Sequence, residues 1–321
     1  MKKNKLIKYL TAASVLLVSV YFVITSVNFL QPAAFIDLMN YDITFKNVFF
    51  NFRIPRIWTA FAIGSALAVS GTVFQALLRN PLADSYTTGV SGGAAFGISL
   101  ALFTGGGSLS ASLYAFGGSI LSVVIVYFIQ KKFSIFSNVV ILAGVALSMI
   151  FSSAVMFVYA VSESREVHKA MLWLMGDLSI ARYELLPPVF IFIIILSGVL
   201  LLYSKHLDII SLGKEYTVTL GISSASIRNI FFCAAVLTSL SVLLGGIIGF
   251  IGLMIPHLIR KIFSPKHFIL ITVSFFCGGI FLAVCDTAGK IAADPFELPA
   301  GVMTGFIGGL FFIYSAIRRK S

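Results

Sequence analysis

Long apolar runs separated by short polar connections dominate the sequence. Each run is about twenty residues long, which is the length that a helix needs to cross the hydrocarbon core of a bilayer. The order of the runs predicts ten membrane-spanning helices, of which the eighth is short. These helices are expected at about residues 7–30, 57–78, 86–104, 111–130, 135–161, 185–203, 229–249, 250–263, 268–287 and 300–317.

The composition excludes a soluble protein. Of the 321 residues, 59% are hydrophobic and only 11% are charged, and the mean hydropathy is +1.01. A soluble core could not hide that much apolar surface, so we predict an all-α integral membrane protein with a single transmembrane domain over residues 1–321. The apolar run near the N-terminus lacks a convincing cleavage site and is interpreted as a retained first span and not as a signal peptide.

The formal net charge of +11 predicts orientation and not nucleic-acid binding, because the basic residues lie at the ends of apolar runs and form no stripe. With ten spans, sixteen Lys and Arg residues fall on one side of the membrane. The other side has the remaining seven and nine of the twelve acidic residues. An odd number of spans would exchange the later loops and remove this asymmetry. Both termini are therefore expected in the cytoplasm.

The segment from Arg53 to Gly97 combines charge, glycine and apolar length. Arg53 and Arg56 stand directly before a span that is rich in Gly, Ala and Ser, and small residues of this kind let a neighbouring helix approach closely. Both arginines fall on the outer side, where topology disfavours basic residues. They either contact lipid headgroups or serve another function.

The segment closely resembles the permease subunits of ATP-binding-cassette importers of the FecCD family, which take up iron–siderophores, haem and cobalamin. Further motif pieces extend the resemblance over nearly the whole chain. The matching pieces are Arg53-Ile54-Pro55-Arg56, Ser70-Gly71, Phe74-Gln75-Ala76, Asn80-Pro81-Leu82-Ala83, Gly89-Val90-Ser91, Gly93-Ala94, Gly249-Phe250-Ile251-Gly252-Leu253, Pro256-His257, Arg260, Asp286, Glu297-Leu298-Pro299 and Gly301.

The resemblance implies the type II importer fold, with ten helices in two inverted repeats. A faint internal echo agrees with it, because Arg228 leads into a small-residue span much as Arg56 does. The resemblance also implies that the polar loop at about 204–228 couples the permease to an ATP-binding subunit. Its glycines predict a pair of short helices, and Ser223-Ser224 is expected to cap the next span. The coupling residues are expected to be Leu212, Gly213, Glu215, Leu220, Gly221 and Arg228.

On the outer face, the resemblance implies that Arg53, Arg56 and Lys290 dock carboxylates of a substrate-binding protein. Arginine clamps a carboxylate with two parallel hydrogen bonds. Lys290 stands where the family often has arginine, so that contact should be less directional. Asp286 and Asp294 lie nearby, and a local ion pair with Lys290 is expected.

Two further segments are candidates for a pore or gate. The outer loop from Ser162 to Tyr183 is amphipathic and predicts a short surface helix, in which Trp173 and Gly176 contribute to a gate or Trp173 anchors the membrane interface. Ser91, Gly92 and Gly93 match the Gly-x-Ser-x-Gly pattern of hydrolases. Because no strand precedes this serine, we interpret the glycines as an irregular, closely packed segment beside the pore.

The sequence therefore predicts a non-enzymatic permease subunit in the bacterial cytoplasmic membrane, importing an iron–siderophore or haem. Cobalamin import and an ion-coupled secondary transporter are the alternatives, and a receptor or scaffold is a third. No phosphate-binding loop is present, and no cofactor or metal is expected in the chain, so ATP must be bound elsewhere. The implied partners are a second permease copy or paralogue, two ATP-binding subunits, an extracytoplasmic substrate-binding lipoprotein and membrane lipid, but no nucleic acid.

Overall fold

The computed structural model describes residues 49–133, 138–180, 183–292 and 297–318, and within these ranges the chain forms helices and no strands. A π-helical turn at Phe49–Arg53 leads into the first of twelve α-helices. These are α1 (Ile54–Leu77), α2 (Val90–Phe103), α3 (Ser108–Lys132), α4 (Asn138–Val161), α5 (Ser164–Leu174), α6 (Leu186–Leu202), α7 (Ser204–Leu212), α8 (Lys214–Thr219), α9 (Ser224–Gly245), α10 (Ile251–Ile262), α11 (His267–Ala292) and α12 (Ala300–Arg318). Two 3₁₀ turns, Leu178–Ile180 and Tyr183–Leu185, lie between α5 and α6.

The predicted all-α membrane architecture is confirmed. Among the residues that the structure describes, six helical segments are long and apolar enough to cross a bilayer, and α2 and α12 are shorter apolar helices. Every predicted span within the described residues corresponds to a helix. The predicted span at 7–30 lies outside those residues, as does Asp294.

Helix α1 occupies the centre of the bundle, with almost every side chain after Thr59 buried. It packs most extensively against α11 and α9. A Cβ atom added at Gly64 would overlap the backbone of Gly278 in α11, and one added at Gly71 would overlap the backbone of Gly252 in α10. The small residues of α1 therefore provide the close helix contacts that the sequence predicts.

Several helix boundaries differ from the predicted ones by four or five residues, including the start of α9 and the end of α11, and at two boundaries a glycine gives the reason. Helix α2 begins at Val90 and not near residue 86, because Gly89 has a φ of 79°, in the left-handed region that glycine adopts without strain. Helix α9 ends at Gly245 and not near residue 249, because Gly246 has a φ of 78°. An irregular connection therefore precedes each of the short helices α2 and α10.

The predicted pair of short helices in the 204–228 loop is confirmed as α7 and α8. Gly213 separates them with a φ of 129°, and Gly221 follows α8 with a φ of 74°. The Ser223 hydroxyl caps α9 by accepting a hydrogen bond from the Ser226 amide at 3.1 Å. We call α7, α8 and the residues up to Ser223 the elbow.

The helix directions fit the predicted inverted repeats. Phe74, late in α1, contacts Phe231, early in α9, while Gly245 at the end of α9 lies against Ile63. Helices α1 and α9 are therefore antiparallel. Each is followed by an irregular connection, a short helix and a long helix, which are α2 and α3 in one half and α10 and α11 in the other.

Candidate functional site

Charged side chains from three segments meet at the N-terminal end of α1. The Arg56 guanidinium donates from Nε and Nη2 to the two carboxylate oxygens of Asp286 in α11, at 2.8 and 2.9 Å. Its Nη1 donates to Glu297, in the segment before α12, at 2.7 Å. Lys290 lies one turn after Asp286 on α11. We call these four residues the Arg56 cluster.

The Arg56–Asp286 pair is buried, with 6% and 4% of the two residues exposed. Such a pair tolerates burial because its charges are matched and its hydrogen bonds are bidentate. Pro55 begins α1 without losing a helix hydrogen bond, and Trp58 is half-exposed one turn inside. A tryptophan at the end of a span is typical of the membrane–water interface.

The predicted local pair between Asp286 and Lys290 is not formed, because Asp286 is engaged by Arg56. Lys290 makes no ion pair within 4 Å in the described part of the chain, but it lies within electrostatic range of Asp286 and Glu297. Partial burial alone would raise the pKa of Glu297, yet the hydrogen bond from Arg56 and the charges of Arg56 and Lys290 hold it below its ordinary value. Glu297 is therefore ionised at neutral pH. Arg53 is half-exposed in the π-helical turn beside the cluster.

The elbow lies at the opposite end of α1. Arg79, just beyond α1, has its Nη1 atom 3.5 Å from where a Cβ on Gly213 would lie. A helix of 24 residues is about 36 Å long at 1.5 Å per residue. The predicted docking and coupling residues thus occupy opposite ends of the bundle.

The elbow combines an anchored side with an exposed side. Asp208 in α7 accepts hydrogen bonds from the backbone amide of His267 at 2.9 Å and interacts with its Nδ1 at 2.7 Å, so α7 caps the N-terminus of α11. The other side carries exposed residues, including Glu215 and Gly221, among apolar side chains that no described residue covers. The exposed large apolar side chains are Leu212, Tyr216, Val218 and Leu220.

Arg228 lies within α9, one turn beyond the elbow, and is half-buried. Its Nε atom has no hydrogen-bond partner within the described ranges. The structure therefore places this predicted coupling residue at the base of the elbow and not on its exposed side.

Helices α1 and α10 are joined by a polar contact that the sequence alone does not reveal. Gln75 donates from Nε2 to the backbone carbonyls of Gly252 and Leu253, each at 3.3 Å, and its Oε1 accepts from Arg260 at 2.6 Å. Motif pieces that lie some 180 residues apart in the chain therefore meet. Their only sequence signal is a glutamine inside an apolar span.

The predicted surface helix of the outer loop is present as α5. Trp173, near its end, is 7% exposed, so it is packed within the protein and is not an interfacial anchor. Gly176 contacts the irregular connection before α10, and its carbonyl accepts a hydrogen bond from Gly301 at the start of α12 at 3.3 Å. A Cβ on Gly246 would overlap the Trp173 carbonyl. The end of α5 thus bridges two elements of the second half.

Ser91, Gly92 and Gly93 lie inside helix α2, so the expectation of an irregular segment is wrong. The expectation of close packing is confirmed, because a Cβ on Gly93 would overlap the backbone of Gly118 in α3 and one on Gly92 would touch Ser148 in α4. The irregular stretch instead precedes α2. No strand leads to Ser91 within the described residues, as a nucleophile elbow would require.

No metal-binding arrangement is found among the described residues, where no group of three or more His, Cys, Asp or Glu side chains converges. The candidate site thus consists of three parts: the Arg56 cluster, the elbow, and the contact of α5 with the second half.

Comparison with known proteins assigns this architecture. The profile of the FecCD transport family matches residues 10–318. The chain belongs to the FecCD transport family. It is an ABC transporter permease and a multi-pass membrane protein, as the sequence predicts.

Curated FecCD relatives and a solved structure are similar over most of the chain. The Fe(3+)-citrate import system permease protein YfmE of Bacillus subtilis is 31% identical, with 98% of this chain and 95% of that protein covered. The cobalamin import system permease protein BtuC of Halobacterium salinarum is 34% identical, with 82% and 71% covered. A structure described as an inward-facing conformation of a metal-chelate type ABC transporter has a TM-score of 0.79 at 30% identity, covering 86% of this chain and 90% of that one.

Sequence reasoning identified the FecCD family but missed how the residues of the candidate site connect. The ion pairs of Arg56 join residues 230 and 241 positions apart. The available signal was that Asp286 and Glu297 stand near the ends of predicted spans, on the same predicted side as Arg56. The Asp208–His267 contact gave no signal, because neither residue belongs to a motif piece.

Proposed function

We propose that this FecCD permease forms the translocation path of an importer for an iron chelate, either a ferric siderophore or haem, in the bacterial cytoplasmic membrane. The observation that carries the proposal is the placement of the Arg56 cluster and the elbow at opposite ends of α1. An importer that receives its substrate from a binding protein on one face and contacts an ATP-binding subunit on the other needs two such surfaces.

The elbow has the properties of a docking site for an ATP-binding subunit. It projects exposed apolar side chains from two short helices, and an exposed apolar patch of this kind marks an interaction surface. Its other side is tied to α11 through Asp208 and packs on α1. Two ATP-binding subunits, one for each permease copy, would push on the elbows and thereby on the bundle. No nucleotide-binding loop is needed in the permease itself.

The opposite face is suited to a soluble substrate-binding lipoprotein. Arg53, Arg56 and Lys290 collect three basic residues at one membrane edge, and such a patch steers and orients a partner with exposed carboxylates. Since Arg56 is buried against Asp286, Arg53 and Lys290 are its more accessible members. We propose that both chain termini lie in the cytoplasm, as the charge asymmetry of the sequence predicts.

The path itself is proposed to lie between two permease copies related by a two-fold axis. Helices α4 and α12 support this arrangement, because they turn long apolar faces away from their own bundle. These faces are available for lipid and for a second copy or paralogue. Their exposed side chains include Leu142, Met149, Met156, Phe157, Phe306, Leu310 and Ile317.

The iron chelate is proposed because the similarity to the Fe(3+)-citrate permease extends over nearly the full length of both chains. Cobalamin is the second candidate, supported by the higher identity to the cobalamin permease over a shorter stretch. The permease offers no cluster of metal ligands in its described residues, so selectivity is expected to reside in the binding protein.

Reconstitution in proteoliposomes tests the function. We expect uptake only when ATP-binding subunits, ATP and the substrate-binding protein are all present, with ferric citrate or hemin favoured over cyanocobalamin as the labelled substrate. Preference for cyanocobalamin would replace the proposed substrate class. Uptake driven by an ion gradient alone would contradict the function and favour a secondary transporter.

A further inference from the structure

The donors of Arg56 are divided between two carboxylates that differ in burial. The two carboxylate oxygens of Asp286 accept hydrogen bonds from Nε and Nη2, and the Asp286 side chain is 6% exposed. One carboxylate oxygen of Glu297 accepts from Nη1, and the Glu297 side chain is 48% exposed. The same cation thus has one enclosed partner and one that faces solvent.

Asp286 is a permanent partner. It joins α11 to α1 through two hydrogen bonds at the buried edge of the guanidinium. If it left, a buried arginine and a buried carboxylate would both lose their compensation, which is strongly unfavourable. No binding event on the surface can replace it without opening the bundle.

Glu297 is an exchangeable partner. A half-exposed carboxylate regains water when it leaves, so its departure costs less than that of the buried Asp286. It directly precedes α12 at a position without regular structure, and among the described residues its side-chain hydrogen bond is with Arg56 Nη1. A carboxylate arriving from solution would find Nη1 at the same position.

The charge balance of the cluster depends on Glu297. Arg56 and Lys290 carry two positive charges, which Asp286 and Glu297 neutralise. Removing the Glu297 charge leaves the cluster with one net positive charge at an outward-facing position. Docking by charge attraction is therefore opposed as long as Glu297 remains in place.

We propose that Glu297 is an intramolecular placeholder for a carboxylate of the docking partner, and that docking exchanges the Glu297 carboxylate on Arg56 Nη1 for a Glu or Asp side chain of the substrate-binding protein. This inference rests on the proposed function of the face. The exchange keeps Arg56 neutralised in both states. It also weakens docking, because each docking event must first displace Glu297, and it aids release of the emptied partner.

Removing the placeholder charge tests the exchange. In the permease–ATPase complex in nanodiscs, with the importer's own substrate-loaded binding protein as the probe, we expect Glu297→Gln to tighten the Kd about 5- to 10-fold and to steepen its dependence on salt. Glu163→Gln removes the same charge from the exposed N-terminal end of α5 and should change the Kd less than twofold. An unchanged or weaker Kd for Glu297→Gln would overturn the placeholder.

A second variant separates this outcome from failure of the docking face. Lys290→Glu reverses a charge in the cluster at a side chain that has no ion pair within 4 Å among the described residues, and it should weaken docking more than 10-fold. If Lys290→Glu weakens docking and Glu297→Gln has no effect, the face is correct and the placeholder is wrong. If neither changes the Kd, the docking face itself is wrong.

Discussion

Arg56 shows at the residue scale how one side chain holds two partners of unequal burial. Its buried edge ties α1 to α11 through Asp286, and its Nη1 atom contacts Glu297. The unequal burial of the two carboxylates makes the first contact a matter of stability, and the second is the contact that is proposed to exchange on docking.

The Arg56–Asp286 contact leads to a prediction about stability. Asp286→Asn removes the charged partner of the buried edge of the guanidinium and leaves only the half-exposed Glu297, and we expect a loss of about 3 kcal/mol together with a clearly lower Tm in detergent. Thermal unfolding and the amount of protein in the membrane measure this loss. The double variant Arg56→Met with Asp286→Leu should recover much of it, because no uncompensated buried charge remains. A Tm for Asp286→Asn equal to that of the unmodified protein would contradict the account of the pair.

The sequence predicted the location of Arg56 at the outer end of a span but not its partners. Position relative to apolar runs can be read from composition, whereas the pairing of residues 230 positions apart depends on which helices are neighbours. The sequence predicts a local ion pair between Lys290 and Asp286. In the structure Asp286 pairs with Arg56 instead. Arginine offers two parallel donors to the carboxylate, whereas lysine offers a point charge.

At the scale of elements, close helix contacts decide the architecture. Glycines in α1 let α10 and α11 approach until the backbones touch, at Gly71 with Gly252 and at Gly64 with Gly278. The many small residues of α1 predicted such contacts, but they could not identify the facing helices.

Paired glycine substitutions test these contacts. Gly71→Ala should destabilise the protein by about 1–3 kcal/mol, because the added methyl group overlaps the Gly252 backbone. Gly117→Ala in α3 points into open space and should be neutral or slightly stabilising, since alanine favours a helix over glycine. Thermal unfolding of the two variants side by side measures the difference. Equal stability of both would refute the close approach of α1 and α10.

The sequence predicted the local structure of the elbow better than the packing of the elbow against other helices. Gly213 and Gly221 adopt positive φ values, and Ser223 caps α9, as the sequence indicates. Each of these features depends on residues within a few positions of each other. The anchoring of α7 to α11 by Asp208 depends on tertiary structure and was not predicted.

At the scale of the whole molecule, apolar periodicity was sufficient to predict the fold class. The charge asymmetry predicts the orientation of the chain in the membrane. The boundary at Gly246 was missed because apolar composition continues through residues 246–250, and the one at Gly89 was missed because the uncharged residues 86–89 were included in the predicted span. The order of helices around α1 also could not be predicted, because lipid-facing and buried positions are equally apolar in a membrane protein.

The central claim is that the Arg56 cluster faces the exterior, while the elbow faces the cytoplasm and the ATP-binding subunit. Labelling of single cysteines in intact cells with a membrane-impermeant maleimide tests it directly, in a background where Cys233, Cys277 and Cys285 are replaced by alanine. We predict that Glu163→Cys, at the start of α5, is labelled in intact cells, and that Glu215→Cys, in α8, is labelled only after the membrane is permeabilised. Labelling of Glu215→Cys from outside intact cells would contradict the claim.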